Sequence, residues 1–241
     1  NNLPDMAEYM HKSFFSASEI YCKDNFLILS KFGTDFLPKL FAIKRRMDNY
    51  LDYLKIFKSN FSDFLLQNLA AFLPYHLPKD IKKLSENYEH FLILLSSDES
   101  IKEITHILNE DKKNNLDYEF IECNRKEGEL LLLHRYVAGG APKKVKILQD
   151  ENVGKILAFD VALPRNCQNW HEIINDEVLV DMAHQFKMGH FFCMVFHWDF
   201  IVKKGLDENK IKEKMLTLFK KIGAKFPAEH NLGHIYKADN E

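Results

Sequence analysis

Glycine is scarce in this chain, which has nine glycines among 241 residues. Proteins that hold nucleotide phosphates through backbone amides depend on glycine-rich loops, because the missing side chain lets the backbone approach the phosphate. The sequence contains no loop of this kind. We therefore do not expect these residues to form a complete nucleotide site by themselves.

Cysteine is also infrequent, and its spacing excludes two common motifs. Cys22, Cys123, Cys167 and Cys193 lie far apart, so the chain has no CxxC pair. Zinc knuckles and thioredoxin-like redox sites both need such pairs. Scattered single cysteines are typical of a reducing compartment, where the thiol behaves as a small apolar side chain.

Long apolar segments are missing as well. No run approaches the roughly 18–20 residues that a membrane-spanning helix requires, and no signal-peptide pattern occurs at the start. The chain begins with Asn1 rather than methionine, so we expect a fragment or a trimmed form. The net charge of −2 and the hydrophobic content of 46% are typical of globular proteins and indicate no particular partner.

The charge is nevertheless distributed unevenly. Residues 36–84 are rich in Phe, Leu and Tyr and contain nine basic residues against four aspartates, a local net charge of +5. Basic and aromatic residues on amphipathic segments are typical of proteins that bind a membrane surface. The cations that we expect to face anionic lipid are Lys39, Lys44, Arg45, Arg46, Lys55, Lys58, Lys79, Lys82 and Lys83.

Residues 36–84 allow two other interpretations. In the first, the stretch is a helical subdomain whose aromatic side chains pack inward and whose lysines are only solvated. In the second, it binds nucleic acid, but no glycine-rich or RNP-like string accompanies the aromatics. We therefore do not expect nucleic acid as a partner.

Hydrophobic periodicity gives a coarse assignment of secondary structure. Short apolar runs predict strands and amphipathic runs predict helices, so the chain is expected to have an α+β fold with a mostly antiparallel sheet flanked by helices. The predicted strands are residues 26–29, 91–95, 118–122, 130–134, 144–148, 156–163 and 190–198. The predicted helices are residues 1–20, 99–109, 170–186 and 207–222, the last with Asp207 as its N-cap and Gly223 after its end.

Histidine is concentrated in two segments. One is GHFFCMVFHWD, with His190 and His197, and the other is AEHNLGH, with Glu229 and His230. Imidazole suits proton transfer near neutral pH, and a neighbouring carboxylate can orient it or help to bind a metal. In an unbroken strand, residues seven apart point to opposite faces, so His190 and His197 would need a bulge or turn to meet. Histidines that are only satisfied core residues remain the structural alternative.

Several long strings carry a resemblance to a known family. They are QFKMGHFFCMVFHWDFIVKKG, PAEHNLGHIYKA, LLLLHRYVAGGAP, ILAFDVALPRN, FLPYHLPKDIKK and NNLPDMAEYMH. Together they resemble the quinone-dependent respiratory D-lactate dehydrogenases of bacteria over essentially the whole chain. The resemblance implies an FAD enzyme that oxidises D-lactate to pyruvate and passes electrons to quinone. It also implies peripheral attachment to the cytoplasmic face of the inner membrane.

The resemblance further implies a division of the chain. Most FAD contacts would come from a vanillyl-alcohol-oxidase-type domain outside these residues. A cap domain would comprise residues 1–20, 89–126 and 151–222, and residues 223–241 would begin the returning FAD-domain segment. The α-helical, basic membrane-binding insertion would comprise residues 21–88 and 127–150, and the latter segment adds three cations: Lys143, Lys144 and Lys146.

Individual roles follow from matching motifs. His230 would take the hydroxyl proton of D-lactate, and Arg135 would bind the substrate carboxylate. His190, His197 and Glu229 match the ligands of a divalent metal such as zinc. The chain departs from its relatives in having no glycine between the two histidines, Asp199 in place of an asparagine and Ala158 in place of a lysine. A non-catalytic membrane-docking module and a zinc-binding structural domain remain the alternatives.

Overall fold

The structure is a computed structural model that describes residues 4–54, 61–113 and 117–228. It divides into two compact units. The sheet unit comprises the described residues of Asn1–Ser13, Tyr88–Glu122 and Val153–Glu241, and the helical unit those of Phe14–Asn87 and Cys123–Asn152. The expected division into cap and membrane-binding parts is a statement about function, and it stays a prediction.

The elements alternate irregularly along the chain. The strands are β1 Met6–His11, β2 His90–Leu95, β3 Val153–Ala162, β4 Met182–His190 and β5 Val195–Lys203. The helices are α1 Lys12–Tyr21, α2 Lys23–Phe32, α3 Leu37–Leu54, α4 Phe61–Ala71, α5 Lys79–Asn87, α6 Asp98–Lys112, α7 Arg125–Ala138, α8 Ala141–Leu148, α9 Asp176–Leu179 and α10 Glu208–Lys221. Within the described ranges, no helix is both long and apolar enough to cross a bilayer.

The five strands form one sheet in the order β2-β1-β4-β5-β3, and every neighbouring pair is antiparallel. The expected α+β class with a mostly antiparallel sheet and flanking helices is therefore confirmed. The order also places β4 and β5 in the interior of the sheet, between β1 and β3. Side chains on these two strands can thus meet partners from both outer neighbours.

One face of the sheet packs against α10. Phe159 on β3 and Trp198 on β5 are register partners, and both rings contact Phe219, with centroid distances of 5.3 and 5.6 Å. Met215 and Phe219 are fully buried and lie one helical turn apart. Because side chains alternate along a strand, the residues directly before and after Phe159 and Trp198 point to the opposite face of the sheet.

The helix α10 has the termini that the sequence predicts. The Asp207 carboxylate accepts hydrogen bonds from the backbone N–H groups of Asn209 and Lys210 at 3.1 and 3.2 Å, as an N-cap does. After the helix, Gly223 has a φ of +73°, a conformation that glycine adopts without steric cost. The predicted helix over 207–222 is confirmed, as are the strands near 91–95 and 156–163 and the helix near 99–109.

Ion pairs join helices within the helical unit. Lys44 on α3 binds Asp48 and Asp63 at 2.9 and 3.0 Å, which ties α3 to α4. Lys144 on α8 binds Asp24 on α2 at 2.7 Å, with both side chains nearly buried. Removing one partner of the Lys144–Asp24 pair should lower the stability of the helical unit, because the remaining charge is left desolvated.

Several predicted elements are wrong. Residues 26–29, 130–134 and 144–148 lie in α2, α7 and α8 rather than in strands, because a short apolar run does not distinguish a buried helix from a strand. Residues 118–122 form no regular element, and most of 170–186 is irregular or belongs to β4. The predicted helix over the first twenty residues is β1 followed by α1.

The error at α7 has a recognisable local cause. Asn124 accepts a hydrogen bond from the backbone N–H of Glu127, and the Glu127 carboxylate accepts one from the N–H of Asn124. This capping box marks a helix start at Arg125, five residues before the apolar run LLLLH begins. The box is readable from the sequence, and it correctly predicts a helix where the apolar run alone suggested a strand.

Candidate functional site

A tight turn between β4 and β5 brings the two histidines of the sheet together. β4 ends at His190, a 3-10 turn spans Phe191–Cys193, and Met194 adopts a left-handed φ of 54° before β5 begins. The single strand expected over 190–198 is therefore wrong. The turn reverses the chain and puts His190 and His197 on one face, with ring centroids 5.2 Å apart and ring planes at 90°.

Each imidazole is bound by a carboxylate from the next strand. Glu8 on β1 is the register partner of His190, and its Oε1 lies 2.7 Å from His190 Nδ1. Asp160 on β3 is the register partner of His197, and its Oδ1 lies 2.6 Å from His197 Nδ1. Four adjacent strands thus each contribute one residue to a histidine row: Glu8, His190, His197 and Asp160.

Gly189 fixes the register that aligns this row. A Cβ atom at this position would lie 2.5 Å from Cδ1 of Phe196 and 2.7 Å from the carbonyl oxygen of Val195. Only glycine lets the Phe196 ring lie against the opposing strand at this distance. The packing of Phe196 on one face thereby determines where His190 lies on the other.

The spacing of the two rings is compatible with a shared metal ion. Two imidazoles on one tetrahedral zinc, with Zn–N bonds of about 2.0–2.1 Å, have ring centroids roughly 5 Å apart. Metal-binding histidines usually have their other ring nitrogen bound by a carboxylate, as both have here. In the part of the chain that the structure describes, no three His, Cys, Asp or Glu side chains are arranged so that they could hold a metal ion together. The third expected ligand, Glu229, lies outside the described residues.

The two departures from the family that the resemblance implies, at residues 158 and 199, are neighbours in the sheet. Ala158 and Asp199 are register partners on β3 and β5, on the face that carries the histidine row. Burial raises the pKa of the Asp199 carboxyl to about 6, and the Asp160 carboxylate adds to this while His197 opposes it. Ala158 and Asp199 thus form one connected patch beside His197.

The segment leading to the Glu-His motif runs along β3. Ala162 and Lys225 exchange both backbone hydrogen bonds, at 2.8 and 2.9 Å, and the Ala228 N–H donates to the Asp160 carbonyl at 3.0 Å. Ala228 therefore lies at the Asp160 end of the histidine row. The motif residues Glu229 and His230 follow it directly in the sequence but lie outside the described residues.

Arg135, the expected substrate ligand, is a half-buried residue in the last turn of α7 in the helical unit. The sequence led us to place it directly after a strand, and that local context is wrong. Its role as a carboxylate ligand stays a prediction.

The expected lipid-facing cations fall on three helices. Lys39, Lys44, Arg45 and Arg46 lie on α3, Lys79, Lys82 and Lys83 on α5, and Lys143, Lys144 and Lys146 on α8; Lys55 and Lys58 lie outside the described residues.

At least four of these cations form ion pairs within the helical unit, and Lys82 with Glu86 at 3.6 Å and Lys146 with Asp150 are two of these pairs. Lys144 is 9% exposed and binds both carboxylate oxygens of Asp24, so its assignment as a lipid contact is corrected to a structural ion pair. Lys44 binds Asp48 and Asp63, which neutralise its charge. Arg45 and Arg46, next to Lys44 on the same helix, are exposed.

Large apolar side chains are exposed around these cations. Phe72, directly after α4, is 89% exposed, and Tyr53 on α3 is 81% exposed. Water-soluble surfaces rarely expose so many large apolar groups close together in sequence, and such surfaces usually meet a membrane or a protein. The exposed set on and after α3 and α4 is Phe41, Ile43, Tyr50, Tyr53, Phe64, Leu65, Leu69, Phe72 and Leu73.

These features define an α+β protein with a carboxylate-backed histidine pair on its sheet and a helical unit that exposes apolar and basic side chains. A family model described as D-lactate dehydrogenase, membrane binding, matches residues 1–241. The chain belongs to this family, which confirms the resemblance seen in the sequence.

Curated relatives are named as quinone-dependent D-lactate dehydrogenases. The chain is 40% identical over 237 residues to the quinone-dependent D-lactate dehydrogenase of Escherichia coli K12, and this covers 98% of the chain and 41% of that protein. It is 37% identical to the enzyme of the same name from Haemophilus influenzae, with 98% and 42% coverage. A Corynebacterium glutamicum enzyme of that name is 30% identical over 239 residues. The chain thus spans about two fifths of the length of these relatives.

Proposed function

We propose that this chain supplies the cap and the membrane-binding part of an FAD-dependent D-lactate dehydrogenase, which oxidises D-lactate to pyruvate and passes electrons to quinone. The observation that carries the proposal is the histidine row, with Ala228 of the PAEHNLGHIY segment hydrogen-bonded beside it. The relatives named quinone-dependent D-lactate dehydrogenases support the choice of substrate and acceptor.

Within this proposal, residues of the chain bind the substrate and move one proton. The Arg135 guanidinium pairs with the carboxylate of D-lactate, for which its planar fork is well suited. His230 takes the hydroxyl proton as the C2–H bond breaks. FAD, held mainly by sequence outside these 241 residues, supplies the acceptor for the hydride. Loss of one proton and one hydride converts D-lactate to pyruvate.

A divalent metal such as zinc is part of the same proposal. His190 and His197 present two imidazoles at a suitable spacing, and Glu229 is the proposed third ligand. A metal in an open coordination site would polarise the substrate hydroxyl and favour its deprotonation.

The helical unit is proposed to attach the enzyme to the cytoplasmic face of the bacterial inner membrane. Its exposed aromatic side chains would enter the headgroup region, while Arg45, Arg46 and the exposed lysines would meet anionic lipid. Attachment of this kind is peripheral and would bring the enzyme close to membrane quinone.

Substitution of His230 tests the catalytic part. In the whole enzyme, His230→Ala should slow flavin reduction by D-lactate by roughly 10²- to 10⁴-fold, because the proton acceptor is removed. Stopped-flow absorbance of the flavin measures this step directly. His106→Ala, at an exposed histidine on α6, is the matched control and should reduce at the parental rate.

Two results would contradict the assignment. If His230→Ala, with full FAD content, is reduced as fast as the parent, His230 is not the base. If D-lactate does not reduce the parental flavin at all, the substrate assignment fails, and a docking module without catalysis becomes the better interpretation.

A further inference from the structure

The carboxylates at the two ends of the histidine row were not among the residues expected from the sequence. Glu8 lies on β1 and Asp160 on β3, at positions 8 and 160 of the chain, far from either histidine motif. The sheet order alone places them on the outer flanks of the β4–β5 hairpin.

We infer that Glu8 and Asp160 are positioning residues, which hold His190 and His197 in the tautomer with the proton on Nδ1. The Nε2 atoms of both rings then carry the lone pairs that a metal ligand or proton acceptor needs. The consequence for metal binding rests on the proposed function, whereas the tautomer assignment does not.

Hydrogen-bond chemistry leads to this assignment. A neutral imidazole has one proton, and an ionised carboxylate can only accept a hydrogen bond. Distances of 2.7 Å from Glu8 to His190 Nδ1 and 2.6 Å from Asp160 to His197 Nδ1 are typical of charge-assisted bonds. In each pair, therefore, Nδ1 is the donor. The proton on Nδ1 leaves the lone pair on Nε2.

Burial and register make the arrangement rigid. Glu8 is 6% exposed, and a buried carboxylate without a donor would be strongly destabilising. Glu8 faces His190, and Asp160 faces His197, as direct cross-strand partners. Rotation of either imidazole would break its hydrogen bond to a carboxylate that the sheet holds in place. The two rings are thus held at 5.2 Å and 90° from both sides.

Nitrogen NMR of the ¹⁵N-histidine-labelled chain distinguishes two roles of the carboxylates. Either each carboxylate sets the tautomer of its histidine, or the histidine only provides a hydrogen bond to a buried carboxylate. At about pH 8.5, above the ordinary imidazole pKa, both rings should show the Nδ1–H tautomer. Glu8→Ala should convert His190 to a tautomer mixture and leave His197 unchanged. Asp160→Ala should do the reverse. Glu213→Ala, which removes an exposed carboxylate on α10, should change neither ring.

The conservative variant Glu8→Gln controls for a loss of folding in Glu8→Ala. Glu8→Gln keeps an oxygen that can accept from Nδ1–H, so it should restore the His190 tautomer if Glu8→Ala disturbs the sheet. An Nε2–H tautomer in the parental chain, or identical spectra for Glu8→Ala and the parent, would overturn the inference.

Titration with zinc alone separates this inference from the proposed metal site. If the parental chain binds Zn²⁺, either alanine variant should weaken binding roughly 10- to 100-fold, as loss of such carboxylates does elsewhere. If it does not bind Zn²⁺ but the tautomers follow the carboxylates, the inference stands and the metal proposal fails.

Discussion

At Gly189, the packing of the Phe196 ring on one face of the sheet determines the position of His190 on the other face. Its missing side chain admits the Phe196 ring, and this close approach fixes the β4–β5 register beside His190. In the sequence, Gly189 is only the residue before a histidine, and nothing marks it as a point of close approach. Its role depends on a contact with the returning strand.

A Gly189→Ala substitution should therefore destabilise the sheet unit. The added methyl would overlap a backbone oxygen and a buried ring, and overpacking of this kind costs about 1–3 kcal/mol. Thermal unfolding followed by circular dichroism should show a melting temperature several degrees lower, by the usual relation for chains of this size. Gly128→Ala in α7 is the control, because a Cβ there meets nothing within 4 Å.

The two glycines should respond in opposite directions. Alanine inside a helix is more stable than glycine by about 0.5–1 kcal/mol, so Gly128→Ala should leave the melting temperature unchanged or raise it. Equal destabilisation by both substitutions would mean that the close approach at Gly189 is not what limits that position.

Candidate site residues could be predicted from the sequence only where a motif contains them. His190 and His197 stand in one recognisable string, and the structure brings them together through a turn that their spacing required. Glu8 and Asp160 could not be found in this way, because each meets its histidine through strand pairing with a distant part of the chain. The only local signal for Glu8 and Asp160 as site residues is a single acidic side chain within an apolar segment.

At the scale of elements, two buried histidines join separate parts of the helical unit. His76, in the loop after α4, and His134, on α7, form a hydrogen bond of 3.0 Å between Nε2 and Nδ1. Both are buried, His134 completely. Burial lowers the pKa of His76 to about 4 and that of His134 to about 3, and the neighbouring His76 contributes to the second shift.

The helical unit should therefore lose stability in mild acid. Both folded-state pKa values lie below the unfolded value of about 6.5, so the unfolded chain binds protons that the folded chain does not. With respect to these two histidines, the free energy of unfolding of the helical unit has its full value above about pH 6.5, and it decreases as the pH falls toward 4. Between about pH 7 and pH 5 the loss should be on the order of 2 kcal/mol per histidine. Urea unfolding at each pH measures it.

Replacing His134 shows how much of the loss of stability in acid this histidine causes. His134→Gln removes a titrating group, so stability should fall less steeply from about pH 7 to pH 5, whatever the variant's absolute stability. His106→Ala, at an exposed position, should keep the parental slope. An unchanged slope in His134→Gln would show that other groups cause the acid sensitivity.

Element prediction succeeded where termini were marked and failed where only apolar runs were available. Asp207 and Gly223 delimit α10, and the helix begins and ends within one residue of the predicted bounds. Residues 26–29 and 144–148 have no strand partner; they lie in helices α2 and α8. Hydrophobic content is the same for a buried strand and a buried helix face, so packing decides between them.

At the scale of the whole molecule, the chain passes repeatedly between the sheet unit and the helical unit. The sheet unit is assembled from three separate segments, so its strand order could not be read from the sequence. The alternation of strand and helix predicted the fold class, but the pairing of β1 with β4 depends on residues about 180 positions apart. Composition, by contrast, marks residues 36–84 as basic and aromatic, and the described part of this stretch lies in the helical unit with many of its large apolar side chains exposed.

The exposed apolar side chains of the helical unit should bind membranes in a way that the sheet unit's do not. Phe72→Asp replaces a large apolar residue that is 89% exposed. Loss of a phenyl group buried in the headgroup region, worth about 1.5–3 kcal/mol, should weaken binding to anionic vesicles roughly tenfold or more. Co-sedimentation measures the partition. Ile107→Asp on α6, which is also exposed, is the control and should bind like the parent.

Salt dependence tests the charged part of the same surface. Arg45→Glu with Arg46→Glu should weaken vesicle binding and flatten its dependence on salt, because each cation near anionic lipid contributes about 1 kcal/mol that ions screen. Lys214→Glu with Lys220→Glu, the same change of charge at two exposed positions on α10 of the sheet unit, is the control and should leave the salt dependence unchanged. Equal loss of binding in Phe72→Asp and Ile107→Asp, or no binding at low salt, would exclude this surface as the attachment site.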